Sequence, residues 1–227
     1  MNSSWAPMRD VRELPPQGRV RLWLARTDDE AGSGDGTGVL DETELRRAAG
    51  FRFARHRERY VAAHLALRGV LGEHLGCAPG DVRFVRLACP GCGEPHGRPA
   101  LADAPDVHFS LSHSGDLALI AVAPAPVGAD VEELPSAEVA QDLSAVLHPR
   151  ERAELAALDT PSAHRAALAR AWVRKEAYLK GIGTGLARAA DLDYVGTLTG
   201  SPGAPGGWVV RDVPAPDGYT AAVAVAP

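Results

Sequence analysis

The stretch VHFSLSHSGDLALIAVAPAPVGADVE, residues 107–132, decides the fold. Val107, Phe109 and Leu111 alternate with His108, Ser110 and Ser112, the period of a half-buried strand. Ser114, Gly115 and Asp116 then turn the chain into the apolar run Leu117 to Ala123, so the two runs read as a hairpin. Pro124-Ala125-Pro126 makes a second turn into another strand, Val127 to Glu132. Working outward, helical spacing predicts Asp41 as the cap of a short helix through Ala49. A long helix follows from Phe53 to Leu75, with Leu67, Leu71 and Leu75 in step and Gly76 as its stop. On the C-terminal side, helices are expected over 137–147, 149–158 and 162–180, the last ending at Gly181, with strands over 194–198, 208–213 and 219–225. Strands are also expected over 20–24 and 82–87, with Gly/Ser-rich residues 32–38 and the Gly/Pro-rich segment 89–99 as loops. Each half then combines one long helix with several short strands. The expected architecture is α+β, two similar lobes with a long helix against a small antiparallel sheet, related by a pseudo-twofold and divided as 1–103 and 104–227.

Composition bounds what such a chain does. It has 227 residues, 45% hydrophobic and 23% charged, enough for one large core or two small ones. No run approaches the roughly 18 apolar residues of a membrane span, and Met1 to Trp5 has neither a basic nor an apolar leader region. Three cysteines argue against a disulfide framework, so a reducing cytoplasm is the expected location. A net charge of −5 argues against a general nucleic-acid binder. Yet seven arginines (46, 47, 52, 55, 57, 59 and 68) lie between Arg46 and Arg68 with Glu58 as the single acid. Such a cluster suits phosphate oxygens; the alternative is a solvated helix face.

Four groups of residues can carry chemistry. Asp130 and Glu132, two apart on a strand, project to one face, where a hard divalent cation would relieve their repulsion; the alternative is a solvated acidic turn. Trp172, Glu176 and Lys180 are spaced by four and share a helix face, which also fits an ordinary Glu–Lys ion pair beside a core indole. Ser112 and His113, near the hairpin turn, could hold a phosphate with help from the main chain. Cys89 and Cys92 make half of a zinc pattern with His96 nearby. Only Cys77 and His96 could complete four ligands, and their spacing fits no common template, so a structural loop is preferred to a metal site; a thioredoxin-like role ranks lower still, since the pair does not open a helix after a parallel strand, and both cysteines are expected to be dispensable.

In this order and spacing, the segments resemble the 4'-phosphopantetheinyl transferase superfamily, specifically the two-lobed monomeric type that acts on carrier proteins of peptide and polyketide synthases. The matching residues are Arg98-Pro99, Phe109 to Ser114, Gly128 to Glu132, and Trp172 to Lys180 with its Lys-Glu-Ala core. The resemblance spans roughly residues 41–186. It implies a Mg²⁺-dependent enzyme that moves 4'-phosphopantetheine from coenzyme A to a serine of an apo acyl or peptidyl carrier protein and releases 3',5'-ADP. It also implies that Asp130, Glu132 and Glu176 bind the metal and that Lys180 touches phosphate. Arg46, Arg59, Arg98, Ser112 and His113 would hold the coenzyme, His113 facing its 3'-phosphate. Glu176, or a water it orients, is the candidate base, and no nucleic acid or membrane partner is expected. Val173 and Ala129 depart from the family's usual residues without touching the chemistry. Two other readings stand beside it: a different Mg²⁺-dependent phosphotransferase, which lacks the Gly-rich phosphate loop it needs here, and a non-catalytic module for coenzyme A or its carrier.

Overall fold

A computed structural model describes residues 11–28, 36–95 and 97–227 of the chain. Residues 32–35 of the loop expected over 32–38, and His96, lie outside the described residues; Gly36–Val39 form a short 3-10 turn. Two strands open the fold, β1 (Val11–Gln17) and β2 (Val20–Arg26). The helices α1 (Glu42–Ala49) and α2 (Ala54–Leu75) follow, then a short pair β3 (Phe84–Arg86) and β4 (Pro99–Leu101). The hairpin β5 (His108–Ser114) and β6 (Leu117–Ala123) leads into β7 (Val127–Glu133). Helices α3 (Ala137–Ala145), α4 (Pro149–Ala156) and α5 (Pro161–Ile182) precede the closing strands β8 (Val209–Val213) and β9 (Tyr219–Val225).

The strands make two main antiparallel sheets, ordered β1-β2-β6-β5 and β7-β9-β8. The two-residue period decides how they stack. Leu22 and Leu24 of β2, Leu117 and Leu119 of β6, Val127, Ala129 and Val131 of β7, and Ala221 and Val223 of β9 meet in one core between the sheets. The intervening residues Trp23, Ala25, Ala118, Ile120 and Val122 face outward against α2. Ala222 and Ala224 face α5. The result is four layers: α2, first sheet, second sheet, α5. Each fully buried Leu in this arrangement contributes about 2 kcal/mol. The α+β reading with two lobes, each pairing a long helix with a small antiparallel sheet, is what the chain forms.

The chain crosses between sheets at Pro124–Pro126, because β5 and β6 complete the sheet that β1 and β2 begin. A division at 103/104 therefore does not coincide with the change of sheet. Asp41 caps α1 as expected, in a reciprocal box with Glu44, and Gly76 ends α2 at φ 70°. Helix α5 runs past Gly181 to Ile182 and stops at Gly183, φ 82°. The strand expected over 194–198 does not form. Its backbone N–H groups are taken instead by α4 carboxylates, Val195 by Glu151 (2.7 Å) and Thr197 by Glu154 (3.2 Å), leaving no ladder to join. Strand β1 was hidden in the sequence by Pro15 and Pro16, which its edge position tolerates.

Candidate active site

Strand β7 and helix α5 place the chemistry. Since Ala129 and Val131 point into the core between the sheets, Gly128, Asp130 and Glu132 point to the opposite face, toward α5. Gly128 is what lets α5 come close: a Cβ there would collide with the Ala177 carbonyl oxygen and the Gly181 nitrogen. On α5, Trp172 packs into the small core it shares with α3 and α4, leaving Glu176 and Lys180 half-buried near β7.

Lys180 does not pair with Glu176. Its ammonium donates to Asp130 Oδ1 at 2.6 Å and to Ser112 Oγ at 2.9 Å, while Ser112 Oγ donates to the same Asp130 oxygen at 2.7 Å. Asp130 is 1% exposed, and its second oxygen, Oδ2, is buried without a hydrogen-bond partner. Burial raises the Asp130 carboxyl against the opposing pull of Lys180. Glu132 and Glu176 are also raised, first by burial and then by the Asp130 charge. Glu132 and Glu176 thus feel the charge of Asp130, whose second oxygen is orphaned, the electrostatic situation a hard cation relieves. That donor set suits Mg²⁺, although in this conformation, among the described residues, no three His, Cys, Asp or Glu side chains are arranged to hold a metal ion.

Beside the carboxylates lies a cavity of about 560 Å³, bounded by Tyr60, His64, Phe84, Arg98, His113 and Lys180 among others. Lys180 belongs to both places. The Ser-His pair is divided by the strand period: Ser112 faces the carboxylates and His113 the cavity. Burial, and then Lys180, lower the His113 imidazole. Arg98 is anchored by donating to Gly181 O at 2.9 Å, at the end of α5. The other two expected coenzyme arginines stand outside the cavity wall. Arg46 pairs with Glu42 on the exposed face of α1, and Arg59 pairs with Asp116 at the β5–β6 turn.

The arginine cluster is not one polyanion surface. Arg68 is 1% exposed, donating to Glu44 (2.8 Å), Asp41 (3.0 Å) and the carbonyls of Pro79 and Val82. Arg47 and Arg52 lie over Phe51 and Phe53. Two cavity residues went unnoticed in the sequence. Tyr60 and His64 are four apart on α2, their ring centroids 3.9 Å apart at a tilt of 31°, with His64 Nδ1 2.9 Å from the Tyr60 carbonyl. That spacing was the available signal, obscured by the leucine repeat on the same helix. Lys175, at the centre of the Lys-Glu-Ala segment, is structural: it is buried and paired at 2.8 Å with the equally buried Glu151.

Comparison with known proteins matches this arrangement. Residues 126–206 fit the model of the 4'-phosphopantetheinyl transferase superfamily. The chain is 35% identical over 217 residues to 4'-phosphopantetheinyl transferase HetI of Nostoc sp., covering 91% of this chain and 87% of that one. It is 31% identical over 147 residues to 4'-phosphopantetheinyl transferase psf-1 of Bacillus pumilus, 60% of this chain and 54% of that one. Against 4'-phosphopantetheinyl transferase Sfp of Bacillus subtilis it is 28% identical over 135 residues, 59% and 55% of the two chains. The chain belongs to the 4'-phosphopantetheinyl transferase superfamily and is a transferase enzyme of that type. Among the described residues, no helix is long and apolar enough to cross a membrane.

Proposed function

We propose that the chain transfers 4'-phosphopantetheine from coenzyme A to a serine hydroxyl of an apo acyl or peptidyl carrier protein, releasing 3',5'-ADP, as a cytoplasmic monomer dependent on Mg²⁺. The observation that carries this reading is Lys180, which lines the cavity while bonding Asp130 beside the carboxylates of Glu132 and Glu176. Coenzyme A would enter that cavity with its phosphates toward Arg98, His113 and Lys180, which line it. Arg98 offers a fixed fork of donors and Lys180 a compact positive charge. Bound phosphate would also raise the lowered His113 and favour its charged form. Asp130, Glu132 and Glu176 would hold Mg²⁺, which when bound supplies positive charge against the pyrophosphate. The carrier serine oxygen attacks the pantetheine-side phosphorus, and the bond from that phosphorus to the 3',5'-ADP oxygen breaks. Glu176, or a water it orients, would take the serine proton. Arg46 and Arg59 would join the coenzyme only by leaving Glu42 and Asp116.

The test is to mix protein, coenzyme A, Mg²⁺ and a panel of apo carriers and weigh the carriers. Glu176→Gln is measured alongside over a Mg²⁺ titration. A carrier should gain one phosphopantetheinyl group, and Glu176→Gln should turn over on the order of 10²–10³-fold more slowly. Near-wild-type turnover of Glu176→Gln at low Mg²⁺ would refute the metal and base roles. No modified carrier in the panel, with coenzyme A bound equally well without metal, would favour a binding module.

A further inference from the structure

The Cys89-Pro90-Gly91-Cys92 segment has no part in the transfer chemistry, yet its local structure is specific. It crowns the β3–β4 hairpin, whose neck is closed by Leu87 N–H to Arg98 O (3.1 Å) and Gly97 N–H to Leu87 O (2.9 Å). Within the crown, Gly93 N–H donates to Cys89 O at 2.8 Å, closing one helix-like turn, and Cys89 N–H donates to Glu94 O at 2.8 Å. Two residues three apart in such a turn stand on the same side, within the separation a disulfide spans. The side chains already touch: the Cys92 thiol and the N–H groups of Gly91 and Cys92 donate to the Cys89 sulfur. These donors, the Gly91 N–H foremost, hold the Cys89 thiol below its ordinary range. Cys89 is 3% exposed and Cys92 is exposed, and the two are not joined. Among the described residues no third His, Cys, Asp or Glu joins them to make a metal site.

We propose that Cys89 and Cys92 form a reversible dithiol–disulfide couple that exchanges with low-molecular-weight disulfides. The exposed Cys92 sulfur, passing its proton to the neighbouring Cys89 sulfur, attacks one sulfur of the small disulfide and leaves a mixed disulfide on Cys92, while the released thiolate takes that proton from Cys89 and departs as a thiol. The Cys89 thiolate, held by its N–H donors, then attacks the Cys92 sulfur, forms the Cys89–Cys92 bond and expels the second thiol. One disulfide is reduced to two thiols and the protein dithiol is oxidised, with both protein protons leaving on the products. The couple adjoins the coenzyme cavity, since Pro90 and Arg98 both pack against Gly183 at the end of α5.

The experiment treats the reduced full-length chain with glutathione disulfide, quenches with acid, alkylates and maps the peptides. The expected product has lost two hydrogens, links Cys89 to Cys92, leaves Cys77 alkylated and is restored by dithiothreitol. Cys89→Ser should keep a stable glutathione adduct on Cys92, and Cys92→Ser should modify Cys89 on the order of ten-fold more slowly than the unaltered chain closes its disulfide. If Cys89→Ser does not fold, the crosslink in the unaltered chain decides. A stable glutathione adduct on Cys92 in the unaltered chain, or both thiols alkylated with no crosslink, would overturn the proposal. So would stoichiometric zinc that shields both cysteines.

Discussion

Acidifying the protein should destabilise it through His64. This imidazole is half-buried against Tyr60 on the cavity wall, and loss of solvent there, opposed by the Tyr60 carbonyl and reinforced by His113 and Arg68, pushes it down to about 4 from 6.5. Because the folded value lies below the unfolded one, the unfolded chain holds more protons between the two. Stability is therefore fully present above about pH 6.5 and is lost as the pH falls toward 4. At about 1.4 kcal/mol per pH unit the whole window amounts to about 3.5 kcal/mol, and about 2.5 kcal/mol has gone by pH 4.5. That is a large share of the 5–15 kcal/mol typical of a folded domain. Urea unfolding at about pH 7 and about pH 4.5, for wild type and His64→Gln, isolates the contribution, since carboxylates titrate alike in both. The wild type should lose about 2.5 kcal/mol more than the variant across this interval. Equal losses would refute the claim that His64 is held neutral by burial.

Two further substitutions test the frame of the site. Gly128→Ala should cost more than about 3 kcal/mol, visible in thermal melts, because the added methyl meets backbone on α5 that cannot turn aside; a melt within a degree or two of wild type would mean α5 is not fixed against β7. Lys175→Met should cost about 3–5 kcal/mol in urea unfolding by leaving the Glu151 charge buried without its ammonium; a neutral or stabilising result would show that the three backbone N–H groups on Glu151 suffice alone.

Much of this architecture was legible because local and tertiary signals agree. The alternation in 107–123 and 127–132 is the alternation of the stacked sheets, and Asp41 and Gly76 do in three dimensions what their types suggest. Spacing alone placed Asp130 and Glu132 on one face and Glu176 and Lys180 on one ridge, but could not reveal that these faces meet. That meeting depends on Gly128, whose relevant property is the side chain it lacks. Partner choice was equally hidden. The Glu176-to-Lys180 spacing fits a helix ion pair, yet the buried Asp130 competes better for the ammonium. Among the clustered arginines, sequence could not separate Arg68, committed to Glu44 and Asp41, from those on the surface. Residues 194–198 misled because their strand-like composition is satisfied by α4 carboxylates from forty residues away.

The serines of β5 bear on how the protein behaves in concentrated solution. Strands β5 and β7 are each the outer strand of a sheet, and an uncovered outer strand is a template on which another chain can add. Here Ser110 accepts from Ala129 N–H, Ser112 donates to Asp130, and Ser114 accepts from Glu133 N–H. Hydroxyls from one border thus occupy groups along the other, shielding both without fusing the sheets into one. The far border is protected differently, by Pro15 and Pro16 in β1, which offer no N–H to an incoming strand. Resistance to aggregation is in this way written into the same serine row that holds Asp130 in place.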